Sequence, residues 1–209
     1  MKRLLVLLML IAASAATANG ATPADTPLIL VFGDSISAGY GLARVEQGWV
    51  ALLQTRLKEQ EYGYQVVNAS VSGETTAGGL ARLPRALMLH QPKIVILELG
   101  GNDGLRALPI AQMRANLVRM IGLSAAAGAK VLLLGMRMPP NYGPDYTEQF
   151  RLCYVEVARD EKLPLVPFLL NDIALSPNLM QADGVHPNEL GQPKLLANVW
   201  PSLKPLLRR

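Results

Sequence analysis

The chain has 209 residues, half of them hydrophobic and 17% charged, with a formal net charge of +4 and one cysteine. High apolar content at low net charge excludes an intrinsically disordered chain, and a single Cys excludes both an intrachain disulfide framework and a cysteine-built zinc site. The length suits one domain with a sizeable core.

The first predicted element is an address. Lys2 and Arg3 precede an apolar run from Leu4 to Ala13, and Ala16 and Ala18 put small residues where a signal peptidase requires them. The pattern predicts a signal peptide over residues 1–18, cut after Ala18, and an exported, periplasmic or secreted, chain over residues 19–209. The run is too short to cross a bilayer, which takes about 20 apolar residues. A lipid anchor at the cut is excluded because Cys153 stands far from it. No stable membrane anchor is therefore expected. Loss of Lys2 and Arg3, with no acid, halves the charge of +4. No basic footprint for a phosphate backbone remains, so nucleic acid is not an expected partner.

Residues 21–26 form a short Pro-containing lead-in. Leu28 to Phe32 is an apolar run stopped by Gly33 and reads as a buried strand. Trp49 to Gln60 carries apolar residues at helical spacing. Tyr64 to Asn68 is a second strand, Leu80 to His90 a helix ended before Pro92, and Ile94 to Leu99 a third strand stopped by Gly100-Gly101. Ile110 to Ala127 is a long amphipathic helix closed by Gly128. Lys130 to Leu134 is a fourth strand, Pro144 to Lys162 a helix, Leu165 to Pro167 a short fifth strand and Pro193 to Leu207 a closing helix. Alternating short apolar strands and helices predict an α/β domain, a mostly parallel sheet covered on both faces. Such sheets bind ligands at the carboxyl ends of their strands.

The residues at those ends are Gly33-Asp34-Ser35, Asn68 to Thr75 with Gly73, Gly100-Gly101-Asn102-Asp103, and Met138 to Gly143; Asp183-Gly184-Val185-His186-Pro187 comes late. There are two histidines. His90 reads as a helix-terminal residue near the dipole's negative end. His186 precedes Pro187, which disfavours αR for it and suits the first position of a following helix. Asp183, three residues earlier, is placed to hold Nδ1 and leave Nε2 as a base. Ser35 is the candidate nucleophile at a strand end, where backbone N–H groups can meet an oxyanion. Taken singly, Asp-x-x-His is also a capped turn and Gly-Asp-Ser also a turn with an N-cap. Together with Gly73 and Asn102 they supply every part that acyl transfer needs. Cys153, in a helical pattern, reads as a small buried hydrophobe. Asp34 and Asp103 lack a third ligand, so neither a metal nor another cofactor is expected.

Four blocks now resemble one family, the SGNH or GDSL hydrolases: Gly33-Asp34-Ser35-Ile36-Ser37 (Ile36 where the acronym has Leu), Gly73, Gly100-Gly101-Asn102-Asp103 and Asp183 to Pro187. Val67 to Gly73, Glu98 to Leu105 and Asn141-Tyr142-Gly143 resemble its bacterial periplasmic thioesterase, protease and lysophospholipase branch. The resemblance implies a three-layer α/β/α sandwich on a five-stranded, flavodoxin-like sheet. It implies Ser35 as nucleophile, His186 as base and acid, and Asp183 as its orienting partner. It also implies an oxyanion hole from the Ser35 and Gly73 N–H groups and the Asn102 side chain. Asp34 would support the nucleophile loop. The branch's acyl site would involve a flexible loop from Thr75 through Gly78 and Gly79 to Leu80, together with the segments Leu105 to Ile110 and Met138 to Tyr142, among them Leu105, Leu108, Ile110, Pro140, Asn141 and Tyr142. Ordinary loop packing is the competing account of those segments. The implied substrates are acyl esters, thioesters or lysophospholipids, acted on by a monomer.

Two other readings remain. A carbohydrate or peptidoglycan O-acetylesterase on the same fold would need a small polar acyl site and would lose activity from acetyl to octanoyl esters. A non-catalytic flavodoxin-like binder would not react with a fluorophosphonate; Gly39-Tyr40-Gly41 is no dinucleotide fingerprint, and no Walker A sequence is present.

Overall fold

The computed structural model describes residues 26–208. The expected signal peptide and nearly all of the lead-in lie outside the described residues. Five strands follow the apolar runs: β1 (Leu28–Gly33), β2 (Gln65–Asn68), β3 (Ile94–Glu98), β4 (Lys130–Leu134) and β5 (Leu165–Val166). They form one parallel sheet in the order β2-β1-β3-β4-β5. Every residue of β3 and all but the first of β1 are buried, because helices cover both faces and leave no polar side for the strands.

Seven helices connect the strands: α1 (Ser35–Ala38), α2 (Trp49–Glu59), α3 (Thr76–His90), α4 (Gly101–Leu105), α5 (Ile110–Ala126), α6 (Pro144–Asp160) and α7 (Gln192–Leu203). They fall into two sets. α3 packs on α5 and α5 on α6; α2 packs on α7. The core between them and the sheet is built on Phe32, Trp49, Leu83, Leu117, Phe150 and Tyr154, each essentially inaccessible to solvent. Among the described residues no helix is long and apolar enough to cross a membrane.

The elements differ from the sequence reading chiefly at α3, α4 and α7. The expected loop from Thr75 to Leu80 is the capped first turn of α3: Thr75 Oγ1 accepts from Gly78 N at 3.2 Å, and a Cβ on Gly79 would overlap Leu99. Gly-Gly thus marks close helix–sheet packing, not flexibility. α4 went unread because its two glycines hide a five-residue helix. Pro187 does not open a helix. It bridges Met180, and α7 begins at Gln192 after a turn in which Asn188 Oδ1 accepts from the Leu190 and Gly191 N–H groups. α7 ends at Leu203, and a 3₁₀ turn carries the chain through Leu206.

Candidate active site

β1 ends at Gly33 and the chain turns at once into α1, so Ser35 stands at the carboxyl edge of the sheet. Asp34 makes the turn: its Oδ1 accepts from Ile36 N at 3.0 Å and caps α1. Ser35 Oγ lies 2.8 Å from His186 Nε2, and His186 Nδ1 lies 2.7 Å from Asp183 Oδ2. These three side chains come from opposite ends of the sequence, yet form one hydrogen-bonded relay.

The late loop is preorganised locally. Asp183 Oδ1 accepts from Val185 N at 2.9 Å and His186 N at 3.0 Å, with Gly184 in the left-handed region at φ +66°. The His186 backbone and ring bonds, with the Val185 bond, pull the Asp183 carboxyl down to about 2. Ionised Asp183 fixes the imidazole with Nδ1–H towards itself and Nε2 free to take a proton from Ser35. The loop is tied back by Gln181, whose N–H donates to the His186 carbonyl and whose amide donates to the Tyr40 carbonyl at 2.8 Å. The Tyr40 ring then packs on the imidazole, centroids 4.7 Å apart.

Gly73, on the connection from β2 to α3, and Asn102 of α4 face the same space. Gly73 has φ +78°, a backbone that side chains resist, and nothing stands close over it; its carbonyl accepts from Arg106 at 3.0 Å. Asn102 Nδ2 donates to Asp34 Oδ2 at 3.1 Å, which leaves its second amide hydrogen for a ligand. Asp103 turns away: its carboxylate accepts from Thr76 N at 2.8 Å and Thr76 Oγ1 at 2.5 Å, tying α4 to α3. His90 ends α3, remote in the fold from this cluster. Cys153 is buried, and burial pushes its thiol up to about 11, which makes it a poor nucleophile.

A cavity of about 570 Å³ opens beside Ser35 and His186. Of the segments expected along an acyl site, Leu105, Met138, Pro139 and Pro140 line it; Thr75, Gly78, Gly79, Leu80, Leu108, Ile110, Asn141 and Tyr142 do not. Thr75, Gly78, Gly79 and Leu80 belong to the opening of α3, and Leu80 and Ile110 pack on the core. Tyr142 acts from behind, its hydroxyl donating to the Leu105 carbonyl at 2.9 Å. Leu108 and Asn141 sit on the connections flanking α4 and α6. The wall is completed by Tyr40, Met136, Phe168, Leu170, Leu175 and Met180, none of which sequence reasoning picked out. The signal was available: Met136 follows β4 and Phe168 follows β5, at the same sheet edge as Ser35.

Glu98 was also missed. It is the last residue of β3, wholly buried, and its Oε2 accepts from Asp34 N at 3.1 Å and Ser37 Oγ at 2.7 Å. Burial, then the neighbouring Asp34 charge, holds the Glu98 carboxyl well above the ordinary carboxylate range. Burial likewise raises Asp34, to about 6.

Comparison with known proteins agrees with this geometry. Residues 31–193 match the model of the GDSL-like Lipase/Acylhydrolase family. The chain is 58% identical over 179 residues to Esterase TesA of Pseudomonas aeruginosa, covering 86% of this chain and 89% of that one. It is 43% identical over 187 residues to thioesterase 1/protease 1/lysophospholipase L1 of Escherichia coli, covering 90% and 87%. A crystal structure of TesA superposes with a TM-score of 0.84 at 57% identity, covering 86% of this chain and 99% of that one.

Proposed function

The chain belongs to the GDSL-like lipase/acylhydrolase family, and from that premise we propose that it is a serine hydrolase of acyl esters and thioesters, working through Ser35, His186 and Asp183. The observation that carries the reading is the unbroken Ser35–His186–Asp183 relay, at 2.8 and 2.7 Å, on the lip of a largely apolar cavity. His186 Nε2 takes the Ser35 proton as Oγ attacks the acyl carbonyl. The oxyanion meets the Ser35 and Gly73 N–H groups and the Asn102 amide. His186 then gives its proton to the leaving alcohol or thiol, and the acyl group stays on Ser35. A water, deprotonated by His186, attacks the acyl-enzyme and releases the acid.

The cavity supports acyl substrates larger than acetyl, since its volume falls within the range of small-molecule sites and its wall carries Met136, Phe168 and Leu170. The names of the relatives, an esterase and a thioesterase/lysophospholipase, support ester, thioester and lysophospholipid substrates. The leader over residues 1–18 supports export to the periplasm.

Labelling with a fluorophosphonate, read by mass spectrometry, tests the assignment. The wild type gains one adduct, on Ser35, and Ser35→Ala gains none. Hydrolysis of an aryl ester falls about 10⁴-fold or more in Ser35→Ala. Wild-type rates in that variant would refute the assignment.

A further inference from the structure

We propose that Glu98 is a positioning residue of this site: its carboxyl braces Asp34, and Asp34 holds the Asn102 amide over the reacting carbonyl. The proposal rests on the oxyanion role given to Asn102 above and adds the layer beneath it.

The arrangement begins in the sheet register. Glu98 of β3 pairs with Gly33 of β1, directly under the turn that presents Ser35. A Cβ on Gly33 would stand 2.5 Å from Glu98 Oε2, so only glycine leaves room for this carboxyl. Oε2 takes the Asp34 N–H and the Ser37 hydroxyl, while Oε1 is buried without a donor. The backbone bond from Asp34 N to Glu98 Oε2 sets the two buried carboxyls side by side, and each bears on the other's ionisation. Two acids in contact in a dry interior cannot both ionise. The titratable groups around the pair are few: His186 faces Asp34, and the Tyr154 hydroxyl of α6 lies on the Glu98 side, donating to the Leu99 carbonyl.

The donors decide which acid keeps its proton. The Asp34 carboxylate collects Ile36 N and Asn102 Nδ2, both of which favour its charge. On Glu98 one oxygen has two donors and the other has none. Glu98 is therefore the neutral partner, and it holds Asp34 through the Asp34 N–H on its Oε2. With its backbone held by Glu98 and its carboxylate by Ile36, Asp34 fixes the rotamer of Asn102 before substrate arrives. A donor that is already oriented does not have to reorganise as the oxyanion forms.

Two measurements test this. The infrared difference between wild type and Glu98→Gln at neutral pH should contain the C=O stretch of a protonated carboxylic acid; its absence would overturn the proposal. In kinetics on a soluble aryl ester, Glu98→Ala should lower kcat by about 10- to 100-fold, the cost of a misplaced group, with little change in KM. Glu98→Gln keeps both a donor and an acceptor and should recover most of that loss. In a double-mutant cycle, Glu98→Ala should cost little once Asn102→Ala has removed the donor it serves. Additive losses, or a Glu98→Gln variant as impaired as Glu98→Ala, would overturn the proposal. If Glu98→Ala does not fold, the infrared difference decides alone. Failure here leaves fluorophosphonate labelling of Ser35 intact, whereas failure of the triad reading abolishes it, so the two are distinguishable.

Discussion

In the proposed mechanism His186 and Asp183 divide the work of the base. Asp183 is two-fifths exposed, yet it is ionised because three local donors converge on it and because the imidazole beside it gains charge during the reaction. Its folded value of about 2 lies below its ordinary 3.8. Its contribution to folding is thus fully present above pH 3.8 and is lost as pH falls through about 2. Loss of activity in mild acid, well above that value, therefore does not come from protonation of Asp183. His186→Ala removes the base outright. Asp183→Asn leaves the base and spoils its tautomer, so its kcat loss should be about two orders of magnitude smaller, as read in the same aryl-ester assay. Equal losses would mean that Asp183 does more than orient.

At the scale of elements, three strand-to-helix connections, two of them abrupt, shape one side of the site. Gly33-Asp34, Ser72-Gly73 and Gly100-Gly101 each end or follow a strand and aim a backbone or side chain at one point. Gly100 is the most constrained of them. It has φ +116°, and a Cβ there would overlap the Tyr154 hydroxyl, which donates to the Leu99 carbonyl at 3.0 Å. Gly100→Ala should destabilise the fold by about 1–3 kcal/mol from backbone strain alone. Tyr154→Phe should cost about 1 kcal/mol for the lost hydrogen bond. Urea unfolding measures both. The double variant should recover the overlap but not the strain, so it should remain well below Tyr154→Phe. Recovery to the level of Tyr154→Phe would place the cost in the clash and not in the backbone.

For the molecule as a whole, the buried acid pair couples stability to pH. Asp34 is raised from 3.8 to about 6 and Glu98 well above 4.5. A raised folded value means that the native state binds the proton more tightly than the unfolded chain does. The stability this lends is fully present below the unfolded value and is lost as pH rises through the folded one. For Asp34 that window runs from about 4 to about 6, and for Glu98 it extends higher. Glu98→Gln removes the higher part. Its Tm relative to wild type should therefore rise steadily towards alkaline pH in thermal melts, and a constant difference would count against a buried neutral Glu98.

Much of this protein was determined by local chemistry that a sequence displays. Short apolar runs between helical patterns read as strands, and all five joined one parallel sheet close to the predicted places. Strand-end turns and a scarcity of histidine also singled out Ser35, Gly73, Asn102, Asp183 and His186, and the fold brings all five to one edge of the sheet. The rest depended on contacts between residues remote in the chain. Thr75 to Leu80 read as a loop because glycines lower helix propensity, and only the approach of Leu99 shows why they are there. The cavity wall is drawn from Tyr40, Met136, Phe168 and Leu175, residues with no shared motif, gathered by the parallel order of β1, β3, β4 and β5. Glu98 looked like one more residue of a buried strand. The β1–β3 register set it under Asp34, and burial there, which no local pattern encodes, decides its protonation and gives it a part in the site.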